Sequence, residues 1–200
     1  MMTKNPASAE KAYLRDFFKE QRHRLCEDFE RKNALDMEIQ TRLLISREYR
    51  AADTVLLYMA RPFEITTSMI LHAAFANHKA VGLPVCLENG KMIFRRVSSL
   101  SELSVGKFGI LEPASDCEEI VADEKTLCVC PALCCDMRGY RLGFGGGYYD
   151  RFLADFTGVK AALCYADSVI PLIQEDEFDI KMDVIHTDSY TRYMKIQSTD

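Results

Sequence analysis

The chain has 200 residues, 48% of them apolar and 28% charged, with a formal net charge of −5. That length is enough to bury a sizeable core in one domain, so residues 1–200 are read as a single unit, and the composition excludes a disordered chain. The acidic balance argues against a nucleic-acid surface or an anionic-membrane surface, because either needs a basic stripe.

A long helix is predicted from Ser8 to about Asn33, with Leu14, Phe17, Phe18, Leu25 and Phe29 spaced along one face. A second helix is predicted over Leu35–Arg50. The run TVLLYMA (Thr54–Ala60) reads as a strand buried on both faces. ITTSMILHAAFANHK follows as a helix capped by Thr66 or Thr67, and AVGLPVC (Ala80–Cys86) as the next strand. After the turn signal ENG comes KMIFRRV (Lys91–Val97), another strand. TLCVCPAL (Thr126–Leu133) is a strand, YYDRFLADF (Tyr148–Phe156) a helix and KAALCYA (Lys160–Ala166) a strand. MDVIHTD and SYTRYMKI read as short edge strands. The alternation of strand and helix predicts an α/β fold of three layers, α/β/α, whose mostly parallel sheet carries helices on both faces.

Between the strand at Thr126 and the helix at Tyr148 lies GYRLGFGGGYYDRFL. It places five of the chain's ten glycines between Gly139 and Gly147. Glycine is costly to order, so such a run implies a return. A glycine-rich loop between strand and helix can turn successive backbone N–H groups on a phosphate, beyond the carboxyl ends of the strands. Neither familiar template fits. A Rossmann-like dinucleotide fingerprint fails because Tyr148 and Asp150 stand where its last glycine is required, and no G-K-[ST] follows. Arg141 is placed to pair with phosphate through its two-pronged guanidinium.

This stretch resembles the signature of the 5-formyltetrahydrofolate cyclo-ligase family, also called 5,10-methenyltetrahydrofolate synthetases. KAYLR (Lys11–Arg15), YMARPFEITT (Tyr58–Thr67), GLPVCLENGKMIFRRV, GKFGILEP (Gly106–Pro113) and EFDIKMDVIHTD resemble the family's other blocks, in the same order. Departures are Ala132 and Cys135 in PALCCD, where the family more often has a glycine and an aromatic, and Phe178, which replaces a common histidine.

The resemblance implies a ligase of one-carbon metabolism. It would use ATP and Mg2+ to cyclise 5-formyltetrahydrofolate to 5,10-methenyltetrahydrofolate, with release of ADP and phosphate. Phosphorylation of the formyl oxygen makes a leaving group that nitrogen 10 of the folate displaces, so the protein's work is positioning and charge neutralisation. ATP would be bound by Lys11, Arg15, Arg141, Leu142, Gly143, Phe144, Gly145, Gly146, Gly147, Tyr148 and Tyr149, with Arg141 and Tyr148 nearest the chemistry. Folate would be bound by Met59, Glu64 and Phe144 to Tyr148, with Glu64 on the polar edge of the pterin. Asp150 and Asp179 would hold magnesium, with Asp176 and Asp183 as nearby competitors for the second place. The alternative is a paralogue that binds nucleotide or folate without this reaction.

Cys128 and Cys130 share one face of a buried strand, so they and Cys134 and Cys135 read as small hydrophobes in preference to zinc ligands. The four histidines show no pairing that suggests nucleophilic catalysis. No apolar run reaches the length of a membrane helix, and the N-terminus lacks the apolar core of a signal peptide. A cytoplasmic monomer with reduced thiols is expected, with its two substrates as its partners.

Overall fold

The protein is described by a computed structural model covering residues 6–106 and 109–194. The chain opens with α1 (Pro6–Glu27), α2 (Phe29–Leu44) and the short α3 (Arg47–Ala51). The single long helix predicted to Asn33 is thus divided at Asp28. The side chain of Asp28 accepts a hydrogen bond from Arg31 N at 3.0 Å and starts a new helix, as a short acidic side chain does when it competes for backbone donors. The break has a consequence for the predicted apolar face. Phe18 is buried, but Phe29 is 75% exposed, and Phe17 is 41% exposed and stacked on Tyr13.

The main sheet has seven strands, in the order β12-β11-β9-β6-β1-β2-β3. β1 (Thr54–Leu56), β2 (Ala80–Cys86), β6 (Thr126–Pro131), β9 (Val159–Leu163) and β11 (Val184–His186) run parallel, and β3 (Met92–Val97) and β12 (Thr191–Tyr193) are antiparallel edges. β11 is therefore not an edge strand as predicted; it lies between β9 and β12. The parallel strands are apolar on both faces because both faces are covered. One layer, with α2 and α4 (Ser68–Ala76), packs Ile39, Leu43, Ile70 and Ala74 against Val55, Leu57 and Val129. The other, with α5 (Tyr148–Leu153), packs Leu153 and Phe152 against Leu56, Phe94, Cys128 and Cys130. This is the predicted α/β/α layering. Thr67 is the residue before α4, but its hydroxyl donates to Tyr58 O at 2.8 Å, which ties the helix start to the end of β1.

Two small sheets complete the fold. β4 (Leu103–Val105) pairs with β5 (Leu111–Pro113), while β7 (Cys134–Asp136) lies between β8 (Arg141–Leu142) and β10 (Val169–Ile170). The chain leaves β1 toward β2 on one side and leaves β6 toward β9 on the other. The sheet thus has a topological switch point between β1 and β6, where α/β proteins open a crevice for ligands.

Candidate functional site

The crevice is built from the carboxyl ends of β1 and β6, the β7–β8 hairpin and α1. The hairpin is fixed by Asp136, a fully buried carboxylate. It accepts from Arg138 N and Tyr140 N at 2.9 Å each, from Ile173 N at 3.1 Å and from Arg138 Nε at 3.1 Å. A carboxylate with this many donors holds a tight turn rigidly. β8 then carries Arg141 inward, 5% exposed, instead of leaving it in the loop as the sequence suggested. Its Nη1 lies 3.3 Å from Asp150 Oδ1, and its Cζ lies 5.5 Å from the centre of the Tyr149 ring. Burial works against its charge, but Asp150 and Cys130 together outweigh that and raise the guanidinium's pKa above its ordinary range. Nε and Nη2 of Arg141 are buried and have no hydrogen-bond partner among the described residues.

The glycine run leads from β8 into α5. Gly145 has φ +100° and Gly147 φ +65°, backbone that a side chain would strain. At Gly147 a Cβ would also lie 2.7 Å from Arg151 Nη1. Arg15 reaches this loop from α1 and donates from Nε to Gly143 O at 3.2 Å. Tyr148 is half-buried. Tyr149 packs between both core layers with its hydroxyl buried, and that burial pushes its phenol pKa well up.

Lys11, four residues before Arg15 and on the same helical face, is 5% exposed. Its ammonium bonds Asp176 at 2.7 Å and also Asp179. Burial alone would lower its pKa, but the two carboxylates raise it, and Lys11 in turn holds Asp176 below the usual carboxylate range. Asp150 accepts from Ile180 N at 3.4 Å, which places it one residue along the chain from Asp179. Asp176 and Asp179 thus share Lys11, with Asp150 bonded to the backbone of the next residue, Ile180. Asp183 does not join them; it bonds Lys160 on β9. No group of three or more such side chains set to hold a metal ion is found among the described residues, so a magnesium ion here would take one or two of these carboxylates and complete its shell with phosphate oxygens and water.

The other half of the crevice is a pocket of ≈ 10 Å³, with room for about one water. Glu64 and Phe144, both assigned to folate by the resemblance, line it together with Tyr58, Arg22 and Leu133. Met59 does not line it; it packs against the core layer of α2 and α4. Glu64 is 8% exposed and is engaged by Arg61, which donates from its backbone N to Oε2 (2.8 Å) and from Nη2 to Oε1 (3.2 Å). The Arg61 guanidinium lies 4.0 Å from the Phe144 ring centre and 4.7 Å from that of Phe63.

The sequence reading did not single out Arg22, Arg61, Asp136 or Arg138. Arg22 had a signal available: with Lys11, Arg15 and Phe18 it forms a stripe at spacings of four, three and four. Its Nη2 donates to Ala132 O at 2.8 Å, and its Cζ lies 4.0 Å from the centre of the Tyr165 ring. Arg138 joins the hairpin to Glu175, at 2.9 Å from Nη1. The cysteines lie as expected of small hydrophobes. Cys128, Cys130, Cys134 and Cys135 are fully buried, with the first two sulfurs 3.8 Å apart. His186, one of the four histidines, is buried with its Nε2 2.7 Å from Glu48 Oε1.

The comparisons agree with this architecture. The sequence matches the model of the 5-formyltetrahydrofolate cyclo-ligase family over residues 7–188. A probable 5-formyltetrahydrofolate cyclo-ligase of Schizosaccharomyces pombe is 29% identical, the match covering 70% of this chain and 77% of that one. The Escherichia coli K12 5-formyltetrahydrofolate cyclo-ligase is 26% identical over 80% of this chain and 91% of its own. The solution structure of Aquifex aeolicus 5,10-methenyltetrahydrofolate synthetase superposes with a TM-score of 0.81, 29% identity and 95% coverage of both chains. The Mycoplasma pneumoniae 5,10-methenyltetrahydrofolate synthetase, at 21% identity, shares the fold with a TM-score of 0.72 over 89% of this chain and 98% of that one. By the extent of that family match, this chain belongs to the 5-formyltetrahydrofolate cyclo-ligase family.

Proposed function

We propose that this chain is an enzyme that cyclises 5-formyltetrahydrofolate to 5,10-methenyltetrahydrofolate at the expense of ATP, with magnesium bound between the nucleotide and the carboxylates of Asp150 and Asp179. The observation that carries the reading is Arg141, a buried cation with two unmatched donors at the switch point, beside a glycine loop and Asp150. Buried guanidinium donors are ordinarily matched, and a phosphate oxygen is the acceptor they fit best.

In this reading the glycine loop, Arg15 and Arg141 hold the phosphates, and Asp150 with Asp179 holds the metal. Lys11 exchanges its carboxylate partners for a phosphate when the metal's charge arrives. Magnesium, when bound, neutralises phosphate charge. Phe144 and Glu64 place the pterin so that its formyl oxygen faces the γ-phosphate. The oxygen attacks phosphorus, ADP leaves, nitrogen 10 attacks the activated carbon, and phosphate leaves with the proton of nitrogen 10 as the ring closes. No covalent protein nucleophile is required, and Arg141 and Tyr148 act by charge and position. Among the described residues no helix is long and apolar enough to cross a membrane.

The test is an absorbance assay with 5-formyltetrahydrofolate, magnesium and ATP. ATP-dependent growth of the near-ultraviolet band of the conjugated methenyl product is the expected result. No band, with ATP still bound in a separate titration, would favour a binding paralogue and direct attention to the pocket wall at Ala132 and Cys135.

A further inference from the structure

Arg61 stands outside the motif residues assigned above, yet it contacts three residues that line the pocket, Phe63, Glu64 and Phe144. Its guanidinium lies 4.0 Å from the Phe144 ring centre and 4.7 Å from Phe63, two rings that meet edge to face at 5.7 Å. On its other side it donates from Nη2 and Nε to the two oxygens of Glu64, at 3.2 and 3.3 Å. One flat cation therefore takes both an aromatic surface and a nearly buried carboxylate. The pocket beside it measures ≈ 10 Å³, far too little for a bicyclic ring.

The chemistry of the displaced and the displacing group is the same. The 2-amino-4-oxopyrimidine edge of a pterin contains a planar N–C(–NH2)–N unit. It offers two parallel N–H donors to a carboxylate and a flat face to an aromatic ring, as a guanidinium does. We infer that Arg61 is an internal stand-in for the pterin: it satisfies Glu64 and covers Phe144 in the free protein, and folate enters by displacing it. Arg61 is one-third exposed in its side chain, so it has solvent to swing into, whereas Glu64 is held from behind by Lys32, which donates to Glu64 O at 2.9 Å. The inference rests on the assignment of Glu64 and Phe144 to the pterin.

The stand-in costs binding energy. A site open only part of the time binds with its intrinsic affinity multiplied by the open fraction. Arg61→Ala removes the competitor, so the Kd for 5-formyltetrahydrofolate is expected to fall by roughly tenfold. KM is expected to fall with it while kcat holds, since Arg61 is displaced before the chemistry in either protein. A merely structural role would raise KM or lower the melting temperature without tightening folate.

Calorimetric titration of 5-formyltetrahydrofolate into wild type, Arg61→Ala, Arg61→Lys and Glu64→Ala separates the outcomes. Tighter binding to Arg61→Ala, an intermediate value for Arg61→Lys and weaker binding to Glu64→Ala support the inference. Unchanged or weaker binding to Arg61→Ala, with Glu64→Ala still weakened, overturns the stand-in and leaves the pterin site intact. Full binding by Glu64→Ala overturns the pterin assignment itself, and the stand-in with it. ATP titration of each variant identifies any that has failed to fold.

Discussion

Arg141 concentrates the problem that the proposed phosphate site would have to solve. A guanidinium that is 5% exposed needs a counter-charge, and the protein supplies one with Asp150 at 3.3 Å while leaving two of its donors free. Replacing it therefore has two effects. Arg141→Ala removes those donors from the nucleotide and leaves Asp150 as an uncompensated negative charge facing the phosphates. Charged hydrogen bonds contribute about 1.5–3 kcal/mol each, so with two donors lost ATP affinity is expected to fall by roughly 100- to 10,000-fold. Arg141→Lys keeps the charge but not the fork and is expected to recover only part of the loss. Calorimetric titration with ATP and magnesium measures both variants, and an affinity unchanged in Arg141→Ala would take Arg141 out of the nucleotide site.

At the scale of elements, the sheet edge far in sequence from the glycine loop is locked by a buried acid. Glu48 on α3 lies 2.7 Å from His186 on β11 and accepts from the Tyr193 hydroxyl on β12 at 3.3 Å. Burial alone would raise its carboxyl pKa, but His186 and the backbone outweigh burial and set it below its ordinary 4.5. A depressed folded pKa stabilises above the unfolded value and is lost as pH falls through the folded one. The gap in urea midpoint between wild type and Glu48→Gln is thus expected to be widest above the ordinary 4.5 and to close as pH falls below it. A gap that stays constant with pH rejects the linkage. This edge also marks where the sequence stops being legible. The long central strands were readable because parallel strands buried on both faces are continuous apolar runs. β7, β8 and β10, of two or three residues, are too short to carry a period, and what creates them is the buried Asp136, whose donors come from as far as Ile173. The helix break was hidden because an aspartate within an amphipathic pattern reads equally well as a solvated side chain. At the candidate site the order of motifs brought out Glu64, Arg141 and the glycines, but not Arg61, whose role comes from two rings and a carboxylate meeting in space.

For the molecule as a whole, the ligand-free site is neutralised from within. Lys11 sits on Asp176 and Asp179, Arg141 on Asp150 and Arg61 on Glu64, within a chain whose net charge is −5. A polyanionic nucleotide entering alone would draw Lys11 and Arg141 toward its phosphates and leave three carboxylates close to them. In the proposed reading, the carboxylates that the cations release would hold magnesium, whose charge would remove that conflict. Binding to the folded state stabilises by RT ln(1 + [L]/Kd), about 2.7 kcal/mol at a hundredfold excess over Kd. For a chain of this size that corresponds to a rise in Tm of about 5–10 °C. The full shift is therefore expected with ATP and magnesium together, a smaller one with ATP alone at the same concentration, and little with magnesium alone, because Lys11 still occupies Asp176 and Asp179. Dye-based thermal denaturation of the whole chain under the three conditions measures this. Equal shifts with and without magnesium would mean that the metal does not bridge the nucleotide to Asp150 and Asp179, and that Lys11 keeps its carboxylates when ATP binds.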